Sequence, residues 1–170
     1  MLVRELKKVC FEWDEKNKMD IKTIRTNSEN KDFIKLIKEL DAYLKIMDEE
    51  EHDFYNQFNS TAFLKEVVVM YVAEIAVGCG AIKKFDHGTV EVKRMFVSLD
   101  NRGTGVAQKI LQELETCAKD LGYKKGILET GVRQVEAIKF YKKRGYKIIP
   151  NYGQYQGMEN SICFEKRYEL

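Results

Sequence analysis

The chain predicts a mixed α/β fold: a mostly antiparallel sheet of about six to seven strands with helices on both faces. Three observations point there. Apolar residues recur at helical spacing in some stretches and alternate or cluster as β-branched runs in others. The two kinds intermix along the chain instead of segregating into halves. No repeat or low-complexity linker interrupts the 170 residues, a length that suits one domain.

MDIKTIRT opens the domain as a short alternating strand. Asn27 or Ser28 is the expected cap of a helix carrying Phe33, Leu36, Ile37, Leu40 and Leu44 on one stripe. MDEEEHDFYNQFN reads as a second short helix; its acids, Asp48 to Glu51, form either a solvated face or an attractor for a cationic substrate. EVVVMYV is a buried strand. After the AEIA turn, VGCGAIKKF is the next, with Gly78 and Gly80 letting a neighbour approach closely. FDHGT turns the chain into TVEVKRMFV and completes an antiparallel meander, so His87 is read as a turn residue rather than a ligand.

A helix with Val106, Ile110, Leu111, Leu114, Ala118 and Leu121 on its stripe follows, stopped by Gly122. KKGILET is a strand. A further helix over 134–144 ends in KKR before Gly145, with cations in its last turn and glycine just beyond. YKII, a turn-rich loop and SICFEKRY close the sheet. Residues 1–18 are set apart as an extension, with Leu2, Leu6, Val9, Phe11 and Trp13 expected on a short helix; the domain proper is 19–170, and Met19 offers a second start.

Composition narrows the function. With 44% hydrophobic and 33% charged residues the chain is a globular one, and a net charge of +2 gives no broad nucleic-acid surface. No apolar run reaches the length of a membrane helix, and the charged start is unlike a signal peptide. Cys10, Cys79, Cys117 and Cys163 lack ligand spacing, so free thiols in the cytoplasm and no metal are expected.

NRGTGVA, residues 101–107, joins a strand to a helix start. Helix N-termini present unpaired N–H groups and a positive dipole end, which favour an anion. Gly103 and Gly105 let a phosphate near the main chain, and Arg102 adds a charge-assisted contact. From the loop alone, a helix entry without ligand stays open.

The loop does not stand alone. R-G-T-G-V-A, residues 102–107, resembles the [Q/R]-x-x-G-x-[G/A] signature of the GNAT acetyltransferase superfamily, and QVEAIKFYKKRGY resembles that family's N-x-x-A-x-x-x-Y-x-x-x-G-[FY] helix. The resemblance spans roughly residues 20–168 and implies a GNAT-type sheet. It makes Arg102, Gly103, Thr104, Gly105, Val106 and Ala107 the binding loop for the pyrophosphate of acetyl-coenzyme A. Gln134 stands where the family commonly has Asn; it keeps the amide and is expected to reach pantetheine. The resemblance also implies a strand splayed near Met95 and Val97, whose main chain meets pantetheine and the acetyl carbonyl.

The implied activity is transfer of an acetyl group to a primary amine of a small molecule, amino acid or peptide. A lysine-like amine with a pKa of about 10.4 must first lose a proton. Glu91, where the family often has Glu, is the candidate base, acting directly or through water; pairing with a neighbouring lysine on a sheet face is the alternative. Tyr141 shares a helix face with Gln134 and Ala137 and is the candidate acid for the departing thiolate, against a plain core aromatic. Tyr43, Phe54, Tyr55, Tyr152 and Tyr155 are expected to shape the acceptor pocket. A non-catalytic acyl-CoA sensor is the alternative function. Homodimers are frequent in the family, so a homodimer is the implied assembly, although no stretch identifies an interface.

Overall fold

The computed structural model describes residues 9–13, 20–48, 50, 52–62 and 64–169. The strands are β1 (Val9–Trp13), β2 (Asp20–Thr26), β3 (Glu66–Val72), β4 (Ile75–Lys84), β5 (Thr89–Val97), β6 (Lys125–Gly131), β7 (Lys147–Ile149) and β8 (Ser161–Arg167). The helices are α1 (Lys31–Asp48), α2 (His52–Asn56), α3 (Val106–Asp120) and α4 (Val135–Lys143). Among the described residues one 8-stranded sheet forms, in the order β1-β2-β3-β4-β5-β6-β8-β7. Every neighbouring pair is antiparallel except β5 with β6. No described helix is long and apolar enough to cross a membrane.

Alternation in β3 shows why both faces are covered. Val68 and Met70 join the cluster beneath α3, while Val67 and Val69 join the one beneath α1. A strand buried on both sides reads as a continuous apolar run, as EVVVMYV does. Val106, Ile110, Leu111, Leu114 and Ala118 of the α3 stripe are buried, with Cys117 beside them; Leu121 is exposed, beyond the last turn. Gly122 closes the helix in the left-handed region at φ 86°.

The glycines of β4 set how closely α3 packs. A Cβ on Gly78 would lie 2.8 Å from Ile110 Cδ1 and 2.9 Å from the Phe96 carbonyl oxygen. The side chain can yield, but the main-chain oxygen cannot without moving β5. Gly78→Ala is therefore expected to destabilise the fold by about 1–3 kcal/mol, seen as a lower urea midpoint.

Three local outcomes differ from the sequence reading. Residues 9–13 are a strand paired with β2, not a helix. Val9, Phe11 and Trp13 alternate at the strand period of two, and that pattern prevailed over the wider helical spacing. The rest of the 1–18 extension lies outside the described residues. The cap of α1 is Asn30, whose Oδ1 accepts the Phe33 N–H at 2.9 Å; Asn27 instead closes a small turn onto Glu29. The β3–β4 turn falls within AEIA as read but is shorter: Ala73 and Glu74, both at positive φ, make it, and Ile75 and Ala76 already belong to β4.

Candidate active site

The ladder between β5 and β6 covers only residues 89–91 against 125–127. Beyond it the strands part, and a cleft opens between residues 92–95 and 129–131. α4 supplies one wall through Gln134, Ala137 and Tyr141, the face expected from their spacing. Leu40 and Leu44 of α1, with Tyr55 of α2, supply another. Tyr155, from the loop between β7 and β8, also lines it.

β5 reaches the split through a bulge. Its register with β4 shifts between Cys79 and Ala81, and Arg94 takes φ 57°, a strained conformation for a non-glycine residue. Met95 then lines the cleft, and its sulfur sits 2.6 Å from where a Cβ on Gly80 would lie. Val97 ends the strand; its carbonyl accepts from Arg102 Nε at 3.1 Å.

The glycine loop leads into α3 as the sequence suggested. Gly103 and Gly105 lie at φ 75° and 88°, and a Cβ on either would meet none of the described residues within 4 Å. The α3 cap position is Gly105, with no side-chain cap bond, so no cap competes with a ligand for the first-turn N–H groups. Thr104 turns its hydroxyl back onto the Asn101 carbonyl at 2.6 Å. Val106 is buried and Ala107 partly so, both against the core beneath α3. The Arg102 guanidinium lies 4.9 Å from the Tyr43 ring centre and 5.9 Å from that of Phe96. An open, left-handed, uncapped turn is a cradle that fits a pyrophosphate.

The two candidate proton carriers lie differently. Tyr141 lines the cleft, and its ring packs on Phe140, Tyr146 and Phe164. Burial, then the charge of Glu129, holds its hydroxyl above the usual tyrosine range, so it stays protonated. Glu91 is buried and lies outside the cleft lining. Its Oε1 accepts the Tyr152 hydroxyl at 2.9 Å and its Oε2 lies 3.3 Å from Lys93 Nζ.

Glu129, Arg94 and Lys93 were not singled out from the sequence, yet all line the cleft. Ser161 Oγ donates to Glu129 Oε1 at 2.8 Å and lies 3.0 Å from the Tyr55 hydroxyl. Serine has one hydrogen to give, so Tyr55 is the donor in that second contact. The available signal was a single acid inside KGILETG and a basic pair inside TVEVKRMFV, both otherwise strand-like stretches. Of the acceptor-pocket aromatics, Tyr152 and Tyr155 stack edge to face at 5.6 Å. The side chains of Asp48 and Phe54, and residues 49 and 51, lie outside the description.

Buried acids of this region make stability sensitive to alkali. Burial pushes the Cys163 thiol up to about 11. Burial first, then a nearby carboxylate, also raises the Tyr152 and Tyr155 hydroxyls. The folded chain keeps these protons, while the unfolded chain releases them from about pH 8.5 for thiols and about pH 10 for phenols. The unfolded state then binds fewer protons, so stability is fully present below those values and falls as pH rises. Urea midpoints are expected to hold near neutrality and drop progressively above about pH 9.

The parted strands hold a tyrosine and a carboxylate in one cleft, and a left-handed glycine turn opens the helix that follows β5, an arrangement suited to group transfer from a phosphate-bearing ligand. Comparison with known proteins gives the family. Residues 65–148 match the model of the acetyltransferase (GNAT) domain. An IAA acetyltransferase of Azospirillum brasilense is 34% identical over 137 residues, covering 78% of this chain and 88% of that protein. A Klebsiella pneumoniae protein assigned as an acyl-CoA N-acyltransferase superposes with a TM-score of 0.72 at 28% identity, over 85% of this chain and 95% of that one. The PaiA N-acetyltransferase of Thermoplasma acidophilum, solved with coenzyme A, shares the fold with a TM-score of 0.67 at 17% identity, over 87% of this chain and 99% of that one. The chain belongs to the GNAT family and is an acyltransferase of the N-acetyltransferase type.

Proposed function

We propose that the chain transfers the acetyl group of acetyl-coenzyme A to a primary amine of a small molecule, amino acid or peptide, by direct attack of that amine. One observation carries the reading: the split of β5 from β6 opens a cleft lined together by Gln134, Ala137, Tyr141 and Glu129. Acetyl-coenzyme A supplies the activated acyl group as a thioester. Residues 103–107 hold its pyrophosphate at the start of α3, and Gln134 gives pantetheine an amide to bond. Main-chain groups near Met95 and Val97 meet the acetyl carbonyl, where fixed donors stabilise charge as it forms.

A carboxylate takes the proton that the amine gives up. Glu129 lines the cleft and is steadied by Ser161; Glu91 is the second candidate, behind the lining and bonded to Tyr152, whose ring packs on Tyr155 of the cleft wall. Tyr141 gives its hydroxyl proton to the sulfur as the carbon–sulfur bond breaks. The test is thiol release from acetyl-coenzyme A against pooled amines, amino acids and peptides, with coenzyme A binding measured beside ATP and NAD. Tight, selective coenzyme A binding with amine-dependent release is expected. Absence of coenzyme A binding overturns the reading.

A further inference from the structure

Arg94 is a cation taken almost wholly out of water, with its side chain 2% exposed. The bulge in β5 puts it there, at a backbone angle that a non-glycine residue rarely holds. Its Nη2 donates to Asp41 Oδ1 of α1 at 2.5 Å, and the Asp41 side chain is 45% exposed. That bond leaves most of the guanidinium unspent. Nε and Nη1 are buried and have no hydrogen-bond partner among the described residues, and Arg94 lines the cleft. A guanidinium does not escape by losing a proton, so buried donors without acceptors are costly. The neighbouring cation, Lys93, is paired with Glu91.

We propose that Arg94 receives a carboxylate of the acceptor, so that the acceptor class is amines that also carry a carboxylate, amino acids foremost. The inference rests on the acetyltransferase reading above and narrows its substrate. A carboxylate supplies planar, charged oxygens that match guanidinium donors. Arg94 and Glu129 line one cleft with opposite charge. An amino acid is complementary to that pair, its amine toward Glu129 and its carboxylate toward Arg94. A polyamine leaves the Arg94 donors unmet and brings a second cation beside them, so it is discriminated against. Arg94 is thus a specificity-determining residue and carries no proton in the reaction.

The test uses the full chain and matched probes: glycine, β-alanine, phenylalanine and lysine, each against its carboxamide. Thiol release from acetyl-coenzyme A gives kcat and KM. Calorimetry gives binding of the corresponding N-acetyl acids and N-acetyl carboxamides to the coenzyme A-loaded protein, an arm that needs no turnover. In at least one pair the acid is expected to be favoured by about 30-fold in kcat/KM or Kd. Arg94→Lys, and Arg94→Gln if it folds, are expected to erase most of that preference through KM for the acid, with coenzyme A affinity retained. Carboxamides equal to acids in every pair, or no acid bound, overturns the proposal. So does an Arg94→Lys loss of kcat that is the same for acids and carboxamides, which would assign Arg94 to the acyl carbonyl. Absence of release with every amine overturns the acetyltransferase reading instead, and the binding arm still decides the carboxylate.

Discussion

Glu129→Gln is expected to lower kcat by about 10³-fold while coenzyme A binding is retained. The substitution keeps the shape of the side chain and removes its charge together with its ability to take a proton. An amine with a pKa of about 10.4 is almost entirely protonated at neutral pH, so the base matters most there. As pH rises toward that value the amine loses its proton to water unaided. The deficit of the variant is therefore expected to shrink with alkalinity, and a pH series of kcat/KM reads it. A merely structural role gives a deficit that does not change with pH. Glu91→Gln serves as the comparison. Both Glu91 oxygens are engaged by Tyr152 and Lys93, so a smaller loss is expected, arising from a loosened tyrosine wall. A larger loss at Glu91 than at Glu129 would pass the base to Glu91 and remove Glu129 from the proton path.

The scaffold of this site was legible wherever the information is local. The α3 stripe from Val106 to Ala118, the Gly122 and Gly145 stops and the FDHGT hairpin are each specified within a few residues. Both glycines there adopt positive φ, and Asp86 Oδ1 accepts the Gly88 N–H at 2.8 Å. What was not legible depends on partners far along the chain. Glu129 gains its setting from Ser161, 32 residues away, and Glu91 from Tyr152, 61 away. Arg94 is separated by 53 residues from the Asp41 that holds it. No propensity of KRMF signals a bulge, because the bulge arises from how β5 registers against β4 while α3 presses on Gly78 and Gly80. Even the strand at 9–13 follows this rule: alternation was present in the sequence, but pairing with β2 decided between periods.

Tyr141→Phe is expected to lower kcat by about 10²-fold with no change in the urea midpoint. The second half of that expectation makes the first interpretable. Tyr141 is buried, and its ring makes edge-to-face or tilted contacts with Phe140, Tyr146 and Phe164. Phenylalanine keeps all of them, so only the hydroxyl is lost. That hydroxyl faces no competition from ionisation, because burial and the nearby Glu129 charge both favour its protonated form. It keeps its proton at any pH where the fold persists, and no alkaline decline in kcat is expected from Tyr141 itself. The effect stays at the low end for an acid catalyst because a thiol, with a pKa of about 8.5, already leaves tolerably as thiolate. Thiol release under saturating acceptor, measured beside urea unfolding, separates the outcomes. A fall in kcat at unchanged stability assigns the proton to Tyr141. An unchanged kcat reduces Tyr141 to its ring, a core aromatic at helical spacing, and the thiolate then departs without help from α4.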